Sequence, residues 1–325
     1  MLGQMTDYAN SESGMGASEE LLKQASIVVC TVDRRQDLEV CLESLLPFGA
    51  AGAEIIVVNN GPHAAPIAEI AQRHHASVVM ESRRGVSRAR NTGIRAAKGR
   101  IVAFLDDDSI AGKDWLPRLL GPFNEAEVFA VVGSIGAQSL GDPVSRAFDK
   151  LHRAQFPESQ ITFGGNAEND FLPMRAALVG NANMAIRRDV FDRCGYFDPR
   201  FGRGTRIGSG EEPDLLLRIL LAGGKVAVEP AAQIFHRHST EWRTVRRWAF
   251  TSGCAHTAML AKYFLQERSL RRGIFRYFSS RRHRDQNPSV PTQAESRLPR
   301  IPFLVGSLYG PLAFLLSGNE KPTPR

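Results

Sequence analysis

Cysteine is scarce and scattered. The four in 325 residues, Cys30, Cys41, Cys194 and Cys254, show no CxxC spacing. That argues against a thiolate zinc site or a secreted disulfide scaffold and fits a reducing compartment. No GxGxxG follows the first apolar run, so the fingerprint of a dinucleotide-dependent dehydrogenase is missing. Residues 1–24 are polar and mildly acidic, with neither a basic start nor an apolar stretch, so no signal peptide is read there. They are expected to form a disordered lead-in to a cytoplasmic protein. Acid is absent between Arg268 and Arg284, where seven arginines fall. Removing those seven from the net charge of +7 leaves the rest formally neutral. Few aromatics interleave with them, which disfavours a nucleic-acid partner.

The remainder is ordinary for a globular chain, at 43% apolar and 23% charged residues. Short β-branched runs alternate with helical spacing. SIVVCTV (26–32), AEIIVVNNGP (53–62), ASVVME (76–81) and RIVAFL (100–105) read as strands. Between them lie a helix ending at Pro47, a weaker helix around 65–73, and one of small residues (85–99) stopped by Gly99. This alternation predicts a parallel, doubly wound α/β sheet. A further strand is expected at 128–136, and 137–178 carries no regular pattern. A strand and short helix are expected at 181–198. A Gly-rich loop, an acidic-start helix and another strand follow over 208–230.

Three adjacent carboxylates, Asp106, Asp107 and Asp108, end the fourth strand. Close pairs repel by roughly 1 kcal/mol or more, so such a cluster on a rigid element calls for a positive partner or full solvation. In doubly wound sheets ligands sit beyond the carboxyl ends of the strands. Asp33 and Asn59 follow strands one and two on that same edge.

Taken together, SIVVCTVDRRQDLEVCLESL, GVSRARNTGIRAAKGRIVAFLDDDS, VGNANMAIRRDVFDRCGYFDPRF and GEEPDLLLRILLAGGKVAVEPAAQIFH resemble, in order, the segments of family 2 glycosyltransferases of the GT-A fold. The resemblance covers about residues 25–240. It implies a Rossmann-like, mostly parallel sheet flanked by helices, with a nucleotide-binding half (25–136) and an acceptor and catalytic half (137–240). It also implies an inverting transfer from a nucleotide-diphosphate sugar to a saccharide or lipid-linked acceptor. A Mg²⁺ or Mn²⁺ ion would neutralise the leaving diphosphate, and both metals favour oxygen ligands. Asp108 would be a metal ligand, with Asp106 or Asp107 bonding the ribose or the metal and His236 contacting metal or phosphate. Thr31, Asp33 and Asn59 would lie at the nucleoside, and Arg83, Arg84 and Arg90 are candidates for the diphosphate. The family's base opens a helix, where this chain reads Glu211-Glu212-Pro213-Asp214. Glu212 aligns directly, and Glu211 or Asp214 can serve instead. Capping is the competing role for this acidic turn. His63, His74, His75 and His238 are read as surface or neighbouring residues, and Trp115 as packing.

A C-terminal extension (241–325) holds a long helix over 240–266, with Trp242, Val245, Trp248 and Ala249 on one apolar face. The basic segment and a polar linker follow, then an uncharged run, 301–319, interrupted by Pro302, Gly306, Gly310 and Pro311. The arginines and this tail are expected to dock on an anionic membrane surface; the alternative is a lid packed on the long helix. Two rival functions are a nucleotidyltransferase, which needs a Gly- and Lys-rich loop after strand one that TVDRRQDL lacks, and a nucleotide-sugar-binding protein without a base.

Overall fold

The computed structural model describes residues 20–153, 156–164, 181–237, 241–279 and 300–318. Its first half is the expected alternation: β1 Ala25–Thr31, α1 Arg35–Ala50, β2 Glu54–Asn59, α2 Ala64–Arg73, β3 Ser77–Met80, α3 Val86–Ala96 and β4 Ile101–Asp106. The second half comprises β5 Ser109–Ala111, α4 Trp115–Leu120, β6 Val128–Ala137, α5 Pro143–Arg153, β7 Ile161–Phe163, β8 Met184–Arg187, α6 Val190–Cys194, α7 Glu211–Leu221 and β9 Lys225–His236. Three helices follow: α8 Trp242–Gln266, α9 Arg271–Ser279 and α10 Arg300–Leu315.

One sheet runs β3-β2-β1-β4-β8-β6-β9-β5, with β7 paired to β9. The first four strands are parallel, and β8 enters antiparallel to both β4 and β6. Helices cover both faces, which is why β1 and β2 are continuous apolar runs and not alternating ones. On one face α1, α2 and α4 supply Leu38, Leu42, Ile67 and Trp115. On the other, Ala89, Ile94, Leu216, Leu217, Met259 and Phe314 come from α3, α7, α8 and α10. Helix α3 lies very close to the sheet at Gly93, where a Cβ would meet Val28 Cγ1 at 2.4 Å. The small residues of that helix therefore set its distance from β1.

Several expectations are corrected. Helix α1 continues past Pro47 to Ala50, because Phe48 is buried in the core of that face. Residues 20–23, assigned to a disordered lead-in, form a helical turn whose Leu22 packs in the same core. His74 is buried at the end of α2, its Nδ1 2.9 Å from Ile70 O. Trp242 is exposed, while Val245 and Ala249 are buried. The unpatterned middle contains α5 and β7, and residues 165–180 lie outside the described residues, as do His238 and most of the linker. Trp115 is buried packing, its Nε1 donating to Asn183 Oδ1 at 2.7 Å.

Candidate active site

The carboxyl ends of β1 and β4 bring Thr31 and the aspartates together. Asp107 is buried and accepts from Thr31 Oγ1 at 2.7 Å and from Arg34 Nη1 at 3.0 Å. Arg34 also bonds Asp108. Burial outweighs these bonds and raises the Asp107 carboxyl to about 6. Asp107 is thus turned into the protein, while Asp106 and Asp108 face the site.

The short strand β5 accounts for the histidine. Its antiparallel register on β9 sets Ser109 opposite His236, one residue beyond Asp108. His236 Nε2 consequently lies 2.9 Å from Asp108 Oδ1. Burial opposes charge on both groups. The mutual hydrogen bond and attraction more than offset it, holding the Asp108 carboxyl below its ordinary range and raising the imidazole. Ligand atoms of Asp106, Asp108 and His236 all fall within 4.8 Å of one another. Two carboxylates and one imidazole at that spacing suit Mg²⁺ or Mn²⁺, so the donor set fits the metal that the sequence implies.

The acidic helix start reaches the same edge from across the chain. Arg90 of α3, only 3% exposed, donates Nη1 to Glu212 Oε1 at 2.8 Å and to Glu211 Oε1 at 3.2 Å. Its Nη2 lies 3.4 Å from Asp106 Oδ1. One guanidinium therefore joins Asp106 to Glu211 and Glu212. The structure thus places Arg90, a candidate for the diphosphate, against three carboxylates. Burial, followed by repulsion from Glu212, raises the Glu211 carboxyl to about 8. The shift favours the neutral form of Glu211, which eases the crowding of two glutamates on one arginine. Glu211 Oε2 is buried without a hydrogen-bond partner among the described residues.

Asp214 does not reach this edge. It is fully buried and bonded by Lys262 Nζ, Tyr263 Oη and Arg218 Nε at 2.5, 3.0 and 3.1 Å. Its oxygens are occupied by groups of α7 and α8, so the structure does not bring it together with Glu211 and Glu212 at Arg90. Asn59 is also turned inward: Gly61 N donates to its Oδ1 at 2.8 Å, and its Nδ2 donates to His63 O at 3.0 Å. Asp33 has φ +62° and pairs with Arg35 at 2.9 Å, on the rim and apart from the metal trio. Arg84 is exposed, as is Arg83, which pairs with Glu81.

Sequence reasoning missed three supports. Arg34, adjacent to Asp33, neutralises two of the three aspartates. Asn60 ties the loop before α3 by donating to Glu81 O at 2.6 Å and Arg83 O at 2.9 Å and by accepting from Gly85 N at 3.0 Å. Lys262, the one charge in the apolar stretch AMLAKYF, bonds Asp198 and Asp214. Its isolation among apolar residues was the available signal.

Known proteins resemble this chain to different extents. Pre-mycofactocin glycosyltransferase of Mycobacterium tuberculosis (strain ATCC 25618 / H37Rv) is 32% identical over 216 residues, 63% of this chain and 42% of that protein. Succinoglycan biosynthesis protein ExoO of Rhizobium meliloti (strain 1021) is 29% identical over 217 residues, 65% of this chain and 60% of that protein. The chain thus matches less than two thirds of the length of either relative. Among solved structures, mannosyltransferase PcManGT from Pyrobaculum calidifontis, in complex with GDP-Man and Mn²⁺, superposes with a TM-score of 0.56 at 16% identity, covering 90% of this chain and 72% of that one. Glucosyl-3-phosphoglycerate synthase from Mycobacterium tuberculosis, in complex with Mn²⁺, UDP and glucosyl-3-phosphoglycerate, gives 0.53 at 18% identity, covering 79% and 85%. At such identities the likeness is one of fold, and that fold is GT-A. The sequence profile of Glycosyl transferase family 2 matches residues 26–195, more than half of the 325 residues, and the chain belongs to that family.

Proposed function

We propose that the protein is an inverting glycosyltransferase that moves a sugar from a nucleotide-diphosphate donor to a saccharide or lipid-linked acceptor. The observation that carries this is the joining of an Asp106–Asp108–His236 metal set to a Glu211–Glu212 pair through Arg90. A divalent cation held by Asp106, Asp108 and His236 would supply Lewis-acid neutralisation of the leaving diphosphate. Glu212 takes the proton of the acceptor hydroxyl as its oxygen bonds the anomeric carbon and the carbon–diphosphate oxygen bond breaks. Arg90 holds Glu212 in place through its bond to Oε1. Thr31 and Arg34 fix Asp107 so that the neighbouring aspartates point outward.

Two solved neighbours were crystallised with Mn²⁺ and a uridine or guanosine diphosphate species, which supports a diphosphate donor here. The ExoO relative, named for succinoglycan biosynthesis, supports a product in cell-surface polysaccharide or another glycoconjugate. The site would work beside the inner face of the cell membrane. Among the described residues no helix is long and apolar enough to cross a bilayer.

Calorimetric titration of UDP, GDP and dTDP with and without Mn²⁺, on wild type and Asp108→Ala, tests the donor site. Binding of one diphosphate that requires both Mn²⁺ and Asp108 is expected. Donor hydrolysis should then fall by about 100-fold or more in Glu212→Gln. Absence of diphosphate binding under every metal condition sinks the reading, and unchanged turnover in Glu212→Gln removes the base.

A further inference from the structure

Helix α10 carries no charged residue after Arg300, and its faces differ in kind. Towards α8 it is small, with Gly306, Gly310 and Ala313 buried. The two helices run parallel: Thr257 Oγ1 donates to Ser307 O at 2.8 Å, and a Cβ at Gly306 would meet Phe250 O at 2.0 Å. Away from α8, Ile301, Leu304, Val305, Leu308, Leu312 and Leu315 form a stripe at helical spacing, each at least 50% exposed. A helix apolar all round belongs in a protein core or in lipid, and water is the wrong neighbour for this face.

Charge stands beside the stripe. At the shared C-terminal end of α8 and α10, Phe264 and Leu265 are exposed, and Arg268, Arg271 and Arg272 follow, also exposed. The Arg271 guanidinium lies 5.6 Å from the centroid of the Phe264 ring. Seven arginines and no acid fall from Arg268 to Arg284, so with the flanking Glu267 and Asp285 the stretch keeps a formal excess of five positive charges. We propose that the outer face of α10, with Phe264 and Leu265, docks in the plane of an anionic lipid bilayer, the arginines lying at headgroup level.

Other occupants fit less well. Two copies meeting about a twofold axis through this patch would bring like charges together. The chain's own 281–299 segment offers only Val290, Ala294 and Leu298 as aliphatic cover. The sixteen residues of α10 rise about 24 Å, short of the roughly 30 Å hydrocarbon core, which favours lying in the interface over spanning it. The inference deepens the membrane-side placement proposed above and is independent of the transferase chemistry.

Flotation of the full chain with vesicles of phosphatidylcholine alone, and with phosphatidylglycerol added, tests it. Wild type should float with the anionic vesicles. Leu304→Asp/Leu308→Asp should lower the bound fraction by about tenfold or more, and Arg268→Gln/Arg272→Gln should remove the preference for anionic lipid. Unaltered thermal melting and diphosphate binding would show both variants folded. Wild-type failure to float, or equal flotation of the aspartate variant, overturns the proposal. So does a dimer, seen by light scattering, that the aspartates split while vesicles are ignored. Flotation that survives the aspartates but not the arginine changes would keep the membrane placement and discard α10 as its anchor.

Discussion

Replacing Lys262 should cost less than replacing the carboxylate it binds. Its ammonium, 2% exposed, lies 2.5 Å from Asp214 Oδ1 and 2.8 Å from Asp198 Oδ2. Asp198 also pairs with Arg200 at 2.6 Å, and Asp214 with Arg218 at 3.0 Å. Two carboxylates thus face three cations. Lys262→Met leaves two against two, with each carboxylate keeping its own guanidinium. It forfeits two charge-assisted hydrogen bonds, worth about 1.5–3 kcal/mol each, but no longer buries an ammonium, which alone costs several kcal/mol. A net loss of about 1–2 kcal/mol is the expected balance. Asp214→Asn instead leaves three cations around a single carboxylate, and orphaning a buried charge costs about 3–5 kcal/mol. Guanidinium denaturation followed by fluorescence of the three tryptophans measures both variants. A Lys262→Met loss equal to or above that of Asp214→Asn would refute the charge count. Near-wild-type kcat in folded Asp214→Asn would confirm that Asp214 is no base.

Other outcomes follow from particular contacts. Glu211, raised to about 8 in the folded chain against 4.5 for a free side chain, binds its proton more tightly when folded. Its contribution to stability is therefore complete below pH 4.5 and is lost as pH rises through 8. Denaturation midpoints should fall between pH 6 and pH 9 in wild type and fall less in Glu211→Gln; equal slopes would move the proton elsewhere. Gly93→Ala places a methyl 2.4 Å from Val28 Cγ1 and should cost about 1–3 kcal/mol, read from the shift of the denaturation midpoint. His236→Ala should weaken Mn²⁺-dependent diphosphate binding by about tenfold or more in calorimetry while metal-free binding stays the same.

The four parallel strands of the first half were legible because a buried parallel strand advertises itself as an unbroken apolar run. Polar residues at the ends of such runs must share one edge, so the prominence of the aspartates could be read directly. What they face could not. Arg90 looks identical in sequence whether it meets a phosphate or a carboxylate, and its glutamate partners lie 121 and 122 residues away. The resemblance supplied His236 as a candidate, while the β5–β9 register supplies its contact with Asp108. The direction of Asp214 was hidden for a related reason. It shares a first turn with Glu211 and Glu212, yet its direction is set by Lys262 and Tyr263 on a helix some 48 residues further on.

That last contact changes how the C-terminal helices should be regarded. They follow the family-matched region in sequence and read as an appendage. Yet α8 inserts Lys262 and Tyr263 against the first turn of α7, whose opening residues are the candidate base and its neighbour. Met259 and Leu260 of α8 and Phe314 of α10 belong to the same apolar core as Leu216 and Ile219 of α7. Glu212 is therefore held from two sides, by Arg90 at its carboxylate and by the α8 network on Asp214 in the same turn. A general base works only within hydrogen-bond reach of the proton it takes, so rigid support on both sides serves the chemistry directly. The helix that anchors α7 is also the one on which α10 lies. The proposed lipid-facing surface and the proposed base are thus attached to one packed layer.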